Sequence, residues 1–173
     1  NYLHIPVHLI PDLKWKDMGK HVSNIIKLDA SEYIISCIPV TNFDALKYIT
    51  IFSKNGMVKR SQLKDFKVNR YNKPLCCMKL KKDDEVVSAT DKLGSEVFIT
   101  TSNGYALRYD INEIGIVGVK ASGVKAIALK NDKVISGEVY NGEDYVIILT
   151  DKKTAKRVKV SEFERISRAR KGV

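Results

Sequence analysis

The sequence contains few of the residues from which catalytic, metal-binding and disulfide-bonded sites are built. Only three cysteines occur in 173 residues, and Cys76 and Cys77 are adjacent, which is a poor basis for a disulfide framework. Of the three histidines, His4 and His8 flank Pro6, which breaks any helix that would bring them to one face. No phosphate-binding glycine loop, nucleophile elbow or cysteine–histidine pair occurs either. We therefore expect reduced thiols, no metal site, no catalytic residue and no cofactor in this chain.

Long apolar runs are absent as well. No run approaches the ~18 apolar residues that a membrane-spanning helix needs. The first residues, "NYLHIPVH", lack the basic and apolar regions of a signal peptide. We therefore expect a cytoplasmic protein that does not contact a membrane.

The chain does have a segment that recurs at a nearly constant interval. Its aligned arginines, Arg60, Arg108 and Arg157, are 48 and 49 residues apart. A period of about 40–50 residues is typical of propeller-type repeats, in which each unit is a small antiparallel sheet. The three copies are "SKNGMVKRSQLKDF" (53–66), "TSNGYALRYDINEI" (101–114) and "TDKKTAKRVKVSEF" (150–163), in which Lys153 replaces the glycine of the first two.

Short segments rich in β-branched and aromatic residues surround these copies, which favours strands over helical repeats. Asn-Gly dipeptides at 55–56, 103–104 and 141–142 are typical of tight turns. The pattern predicts an all-β chain of repeated four-stranded antiparallel sheets with about 49 residues per repeat. The predicted strands are "YITIFS" (48–53), "VVSAT" (86–90), "VFITT" (97–101), "VISGEVY" (134–140) and "YVIILT" (145–150).

A second marker defines the predicted units. Three segments each read as an apolar strand, a polar turn and another apolar strand: "IIKLDASEYIIS" (25–36), "CMKLKKDDEVVS" (77–88) and "AIALKNDKVISG" (126–137). We interpret the chain as one domain fragment, 1–173, containing units 25–73, 74–123 and 124–173, with 1–24 as the end of a preceding unit. The acidic run "KKDDE" (81–85) is interpreted as a turn and Trp15 as a packing residue.

Positive charge is the strongest functional signal in the composition. The chain has 30 Lys and Arg against 20 Asp and Glu, a formal net charge of +10 and a pI near 9.4. A domain this basic is typical of a protein that meets a polyanion. Single surface cations often serve only solubility or edge protection, but cations that recur at the same point of each repeat favour binding to a phosphate backbone.

The sequence resembles the C-terminal domains of the A subunits of bacterial type IIA topoisomerases. The repeated arginine and closing Phe or Ile, with the turn glycine of the first two copies, carry the resemblance. The segment "IPVHLIPDLKWKDMGKHVSNII" (5–26) is especially similar to the A subunits of topoisomerase IV of Gram-positive type. The resemblance covers essentially the whole chain. It implies a β-pinwheel, a propeller-like disc whose neighbouring blades exchange strands and whose basic outer edge bends DNA.

The same resemblance implies a function. Double-stranded DNA would be bound and bent without sequence preference and presented to the catalytic region of the topoisomerase IV A subunit, which acts with the B subunit, for decatenation and relaxation. The catalytic tyrosine would lie outside this chain, and the protein would be cytoplasmic and associated with the nucleoid. Two alternatives stay open: the C-terminal domain of the DNA gyrase A subunit, or a protein-interaction propeller.

Gyrase carries an intact glycine- and arginine-rich box between two of its repeats, and this sequence does not. The corresponding links here are "WKDMGK" (15–20), "RYNKP" (70–74), "VKASG" (119–123) and "RISRARKG" (165–172). This departure favours a topoisomerase IV-like domain over tight gyrase-like wrapping. The residues that we expect to contact DNA are Arg60, Arg108 and Arg157 with Lys59 and Lys156, and the link residues Lys16, Lys20, Lys73, Lys120, Arg168, Arg170 and Lys171.

Overall fold

The structure, a computed structural model, describes residues 1–69, 71, 73–142 and 145–173. The described residues contain nine strands: β1 (Tyr48–Ser53), β2 (Met57–Gln62), β3 (Val86–Thr90), β4 (Glu96–Thr101), β5 (Ala106–Asp110), β6 (Val124–Lys125), β7 (Val134–Tyr140), β8 (Tyr145–Leu149) and β9 (Ala155–Lys159). Short 3-10 helices occupy Val7–Leu9, Val22–Asn24, Leu63–Phe66, Ile111–Glu113 and Val160–Glu162. Within the described ranges, no helix has the length and apolar composition needed to cross a bilayer. The predicted all-β architecture is confirmed.

Three antiparallel hairpins form the repeating element: the first hairpin is β1–β2, the second is β4–β5 and the third is β8–β9. Their turns require a left-handed backbone, which Gly56 and Gly104 adopt with φ of 80° and 86°. Lys153 occupies the same place in the third hairpin and also has a positive φ, of 60°. The alignment of the three copies in the sequence is therefore confirmed at the level of the backbone.

Aspartates from the following unit hold the first two turns closed. Asp84 accepts hydrogen bonds from the Ser53 hydroxyl (2.8 Å) and the Asn55 amide (2.9 Å). Asp132 accepts equivalent bonds from Ser102 and Asn103, at 2.8 and 3.1 Å. The run 81–85 is thus part of a turn, as the sequence predicts, and its second aspartate caps the preceding hairpin.

The sheets are built from strands of different sequence units. The first sheet has the order β3-β1-β2-β6, so the first hairpin is flanked on one side by β3 and on the other by β6. The second sheet has the order β5-β4-β7, and the third contains β8 and β9. Within the described residues the sheets therefore have four, three and two strands, where four were expected in each. With the unit bounds predicted from the sequence, the first hairpin pairs with β3 of the following unit and with β6 of the last unit, and the second hairpin pairs with β7 of the unit that follows it.

Several strand predictions are wrong for a common reason. Residues 25–36 contain no strand, and the first apolar parts of the other two markers, 77–80 and 126–129, are not strands either. The second parts become β3 and β7 because each pairs with the first strand of a preceding hairpin: β3 with β1, and β7 with β4. The segment 33–36 has no such partner among the described residues. The Asn141-Gly142 dipeptide likewise joins two different sheets and closes no hairpin.

Two apolar clusters form the core. The larger lies between the first two sheets and includes Phe52, Val97, Leu107 and Val139. The smaller packs Ile49, Ile51, Leu63, Phe66, Cys77 and Met78 on the other side of the first hairpin. The 3-10 helices that follow β2 and β5 contribute Leu63, Phe66 and Ile111 to these clusters, and so fix where each chain segment leaves its hairpin.

Candidate nucleic-acid interface

The residues after the 3-10 helices Ile111–Glu113 and Val160–Glu162 lie against the second strand of the hairpin one repeat earlier, β2 and β5 respectively, and we call these segments covering links. The first covering link, residues 116–123, donates from the Val117 amide to the Arg60 carbonyl at 2.9 Å. The second covering link, residues 165–172, makes the equivalent bond from Ile166 to Arg108 at 3.0 Å. Gly123 ends the first link with φ of +78°, and a methyl group there would overlap the Val58 carbonyl. The close approach of link and strand therefore requires glycine.

Arg60 lies on β2 opposite Thr50 and diagonally across from Tyr48 on the same face of the sheet. Its guanidinium carbon is 4.0 Å from the centre of the Tyr48 ring, a cation–π contact. Within the described part of the chain, its guanidinium has no hydrogen bond or ion pair. Among the described residues, the N–H groups of Arg60 are therefore available to a ligand.

Arg157 repeats this geometry on the third hairpin. It faces Ile147 across the sheet, and its guanidinium carbon is 4.5 Å from the centre of the Tyr145 ring. Arg157, Lys156 and Lys159 are all exposed. This strand thus presents three cations within five residues to solvent.

Arg108, the equivalent residue of the second hairpin, is bound internally. Glu96 stands where the other hairpins have tyrosine, and its carboxylate accepts from Arg108 Nε (2.6 Å) and Nη2 (3.1 Å). Arg108 Nη1 donates to the carbonyls of Val160 (3.4 Å) and Phe163 (3.3 Å). The Tyr140 hydroxyl also donates to Glu96, whose side chain is only 12 % exposed. The Arg108 bond holds the pKa of Glu96 below its usual range and raises the pKa of Arg108.

The second covering link carries further arginines that are also bound internally. Arg165 pairs with Asp110 and lies 3.4 Å from Glu96. Arg168 donates from Nε to the Glu113 carbonyl at 3.1 Å and from Nη1 to the Lys125 carbonyl. These contacts fasten the link to the hairpin and use the donors of a residue that we expected to bind DNA.

Lys59 requires a correction. Its side chain is fully buried, with 0 % exposure, and Nζ donates to the carbonyls of Gly118 (3.2 Å) and Val119 in the first covering link. Burial lowers the pKa of this ammonium group. Lys59 faces the opposite side of β2 from Arg60, because side chains alternate along a strand, so its ammonium group holds the link in place and is not exposed at the surface, contrary to what a DNA-contacting residue requires.

The remaining candidates differ in exposure. Arg60 and Arg168 are half-buried, whereas the lysines of the links lie in solvent. Lys16 sits 5.3 Å from the Trp15 ring and Lys171 sits 4.4 Å from the Tyr105 ring. Trp15 itself is 89 % exposed and does not pack, contrary to expectation. The exposed candidates are Lys16, Lys20, Lys73, Lys120, Lys156, Arg157, Arg170 and Lys171; Arg70 and Asn72 of the link "RYNKP" lie outside the described residues.

Sequence reasoning missed the side chains that contact the guanidinium groups of the three repeated arginines. Tyr48, Glu96 and Tyr145 are 48 and 49 residues apart, the same spacing as the arginines they contact. An alignment of the strands as well as the turns places them in one column, 12 residues before each arginine. The signal is therefore present in the repeat, but it becomes visible only when residues are compared across the hairpin.

Comparison with known proteins identifies the family to which this architecture belongs. A model of the DNA gyrase C-terminal domain, a β-propeller, matches residues 1–41, 47–90, 95–141 and 144–173. The chain belongs to this family. The predicted β-pinwheel of repeated sheets is the fold of these topoisomerase C-terminal domains, as the solved structures show.

Individual relatives point to one branch of the DNA gyrase C-terminal domain family. The chain is 43% identical over 175 residues to the A subunit of DNA topoisomerase 4 from Bacillus subtilis (strain 168). It is 37% identical over 175 residues to the corresponding subunit from Staphylococcus epidermidis. It spans 22% of the length of each, so it corresponds to about a fifth of these proteins.

Solved structures agree with this placement. The crystal structure of the C-terminal domain of DNA topoisomerase IV superposes with a TM-score of 0.92 at 44% identity, covering 100% of this chain and 55% of that one. The C-terminal domain of DNA gyrase A superposes with a TM-score of 0.74 at 20% identity, covering 91% of this chain and 52% of that one, and shares the fold.

Proposed function

We propose that this chain binds double-stranded DNA through exposed cations and without reading its sequence. The observation that carries the proposal is the pair of stacked arginines, Arg60 and Arg157, which occupy equivalent positions and keep their N–H donors unused among the described residues. Arginine presents a planar set of donors that matches a phosphate group. Exposed lysines of the links add point charges that neutralise neighbouring phosphates.

Membership in the family supports this choice of partner. The relatives are named as subunits of a DNA topoisomerase, and a fold shared with them fits a DNA-binding role. Phosphate contacts position a duplex without conveying its sequence. A domain that handles any passing segment of a chromosome requires that kind of contact.

Bending of the bound duplex is the mechanical part of the proposal. Smooth bending of 20–30 base pairs by 40–90° costs on the order of 1–6 kcal/mol, which several phosphate contacts could offset. The bent segment would be presented to the catalytic region of the topoisomerase IV A subunit, which acts with the B subunit, for decatenation and relaxation. This chain would supply no catalytic residue and would act on the nucleoid in the cytoplasm. The incomplete box of the link at 165–172 favours this role over gyrase-like wrapping.

Binding can be tested with fluorescence anisotropy of the chain and a random-sequence duplex of about 40 base pairs, titrated between about 50 and 300 mM salt. We expect binding that is independent of sequence and falls linearly in a plot of log K against log salt. The slope, about −0.9 per phosphate, gives the number of contacts. Absence of binding at the lowest salt, or binding insensitive to salt, would overturn the proposal and point to a protein partner.

A further inference from the structure

The first and second hairpins place an arginine in the same backbone environment but give it different partners. Arg60 and Arg108 both lie on the second strand of their hairpin, and a covering link bonds to the carbonyl of each. Their diagonal neighbours are Tyr48 and Glu96. The side chain at this diagonal position contacts the guanidinium at both sites and differs between them.

A count of donors shows the consequence. Arg108 directs Nε and Nη2 to the Glu96 carboxylate and Nη1 to two carbonyls, and its side chain is 22 % exposed. The charge of Arg108 is therefore neutralised by Glu96, and each of its three guanidinium nitrogens donates a hydrogen bond within the protein. Arg60 directs the face of its guanidinium at the Tyr48 ring and, within the described residues, leaves the edge with its N–H groups unused. A ring beneath the guanidinium restricts its orientation without competing for its donors.

We propose that Tyr48 and Tyr145 are positioning residues that hold Arg60 and Arg157 for DNA phosphates, whereas Glu96 withdraws Arg108 from the DNA contact. The duplex would accordingly be gripped through arginine at the first and third hairpins and pass the second without an arginine contact there. This inference rests on the proposed function and specifies which of the repeated arginines performs it. It makes the tyrosine or glutamate at one strand position the determinant of phosphate binding.

The arginines can be compared by three variants that remove the same charge: Arg60→Gln, Arg108→Gln and Arg157→Gln. Each is measured by the salt titration with the random duplex, after its fold is checked by circular dichroism. We expect Arg60→Gln and Arg157→Gln each to reduce the magnitude of the slope by about 0.9, the value of one phosphate. Arg108→Gln should leave the slope unchanged. An equal reduction in all three variants would overturn the inference while leaving the proposed function intact.

The tyrosines provide a second test, which does not alter net charge and does not depend on Arg108→Gln folding. Tyr48→Leu and Tyr145→Leu remove the ring, whereas Tyr48→Phe and Tyr145→Phe keep it. We expect the leucine variants to weaken DNA binding about two- to fivefold, the equivalent of one exposed cation–π contact, and the phenylalanine variants to bind as the parent chain does.

Tyr33→Leu is the matched control, because Tyr33 is exposed and stacks on no arginine among the described residues. If both leucine variants bound like the parent, the positioning role would be wrong. If the parent chain itself did not bind at low salt, the failure would belong to the proposed function and would precede any difference among the variants.

Discussion

The first and second hairpins of this protein share a backbone and differ in how their charges are compensated. The second hairpin surrounds Arg108 with Glu96 and Asp110, and its covering link supplies Arg165 and Arg168, which bond back to the hairpin. All these groups find partners within the protein. Positive charge at the second hairpin therefore contributes to holding two units together.

Different side chains occupy the equivalent places of the first hairpin. Tyr48 and Gln62 stand at the positions of Glu96 and Asp110, and Ile116 and Val119 stand at those of Arg165 and Arg168. The first hairpin thus lacks both the two acids of the second hairpin and the two arginines that its covering link supplies. Among the described residues, no acid therefore compensates the charge of Arg60. The comparison shows that arginines at the same point of a repeat have different partners, because the side chain diagonally across the hairpin differs.

The largest expected effect on the free energy of unfolding comes from the glycines at which the two covering links approach a strand. Gly123→Ala should destabilise the chain by about 3 kcal/mol or more, because alanine is strained at φ of +78° and its methyl group would overlap the Val58 carbonyl. Gly172→Ala meets the Ala106 carbonyl in the same way but without a left-handed φ, and should cost less. Urea unfolding of both variants measures the difference in the free energy of unfolding. Equal losses would show that the backbone angle of Gly123 adds nothing.

Replacing the acid of the second hairpin should have the next largest effect. Glu96→Gln keeps the size of the side chain but removes the charge that Arg108, Arg165 and Tyr140 share. We expect a loss of about 1.5–3 kcal/mol in the free energy of unfolding, the range for hydrogen bonds to charged groups. Glu32→Gln, at an exposed loop residue, is the control and should change stability little. A Glu96→Gln chain as stable as the parent would mean that the cluster is not stabilising.

Most of the fold could be predicted from the sequence because strands and turns are local signals. The bounds of β1, β3 and β7 match the predicted segments residue for residue. The failures are non-local: residues 25–36 have the composition of paired strands but no adjacent strand among the described residues. Strand exchange between units decides which strands pair, and the composition of a segment does not show which partner it will have.

The candidate site was predictable only in part, for a related physical reason. Repeat spacing identifies the strand that carries Lys59 and Arg60, but burial depends on which face of that strand the covering link occupies. Lys59 is buried by the first link, whereas Lys156, at the equivalent place of the third hairpin, is exposed. The same residue type thus has opposite environments at equivalent positions, which single-sequence reasoning does not distinguish.

Acid pH offers a smaller effect with a defined sign. The bond to Arg108 lowers the pKa of Glu96 in the folded chain, so its contribution to stability is present above the unfolded value of about 4.3. That contribution is lost as the pH falls through the folded pKa. The stability difference between the parent and Glu96→Gln should therefore be full at about pH 7 and shrink below about pH 4. Urea unfolding at several pH values measures it, and a constant difference at all of them would contradict the role of the charge.

The smallest expected effect concerns two lysines at equivalent positions, Lys59 and Lys156. Each change to methionine removes one positive charge, so the two variants are matched in net charge. Lys59→Met should leave the salt slope of DNA binding unchanged, because its ammonium group bonds to Gly118 and Val119 inside the protein. Lys156→Met should reduce the magnitude of the slope by about 0.9, because under the proposed function this exposed cation would neutralise a phosphate. Equal reductions would show that overall charge, and not the position of each cation on the hairpin, governs binding.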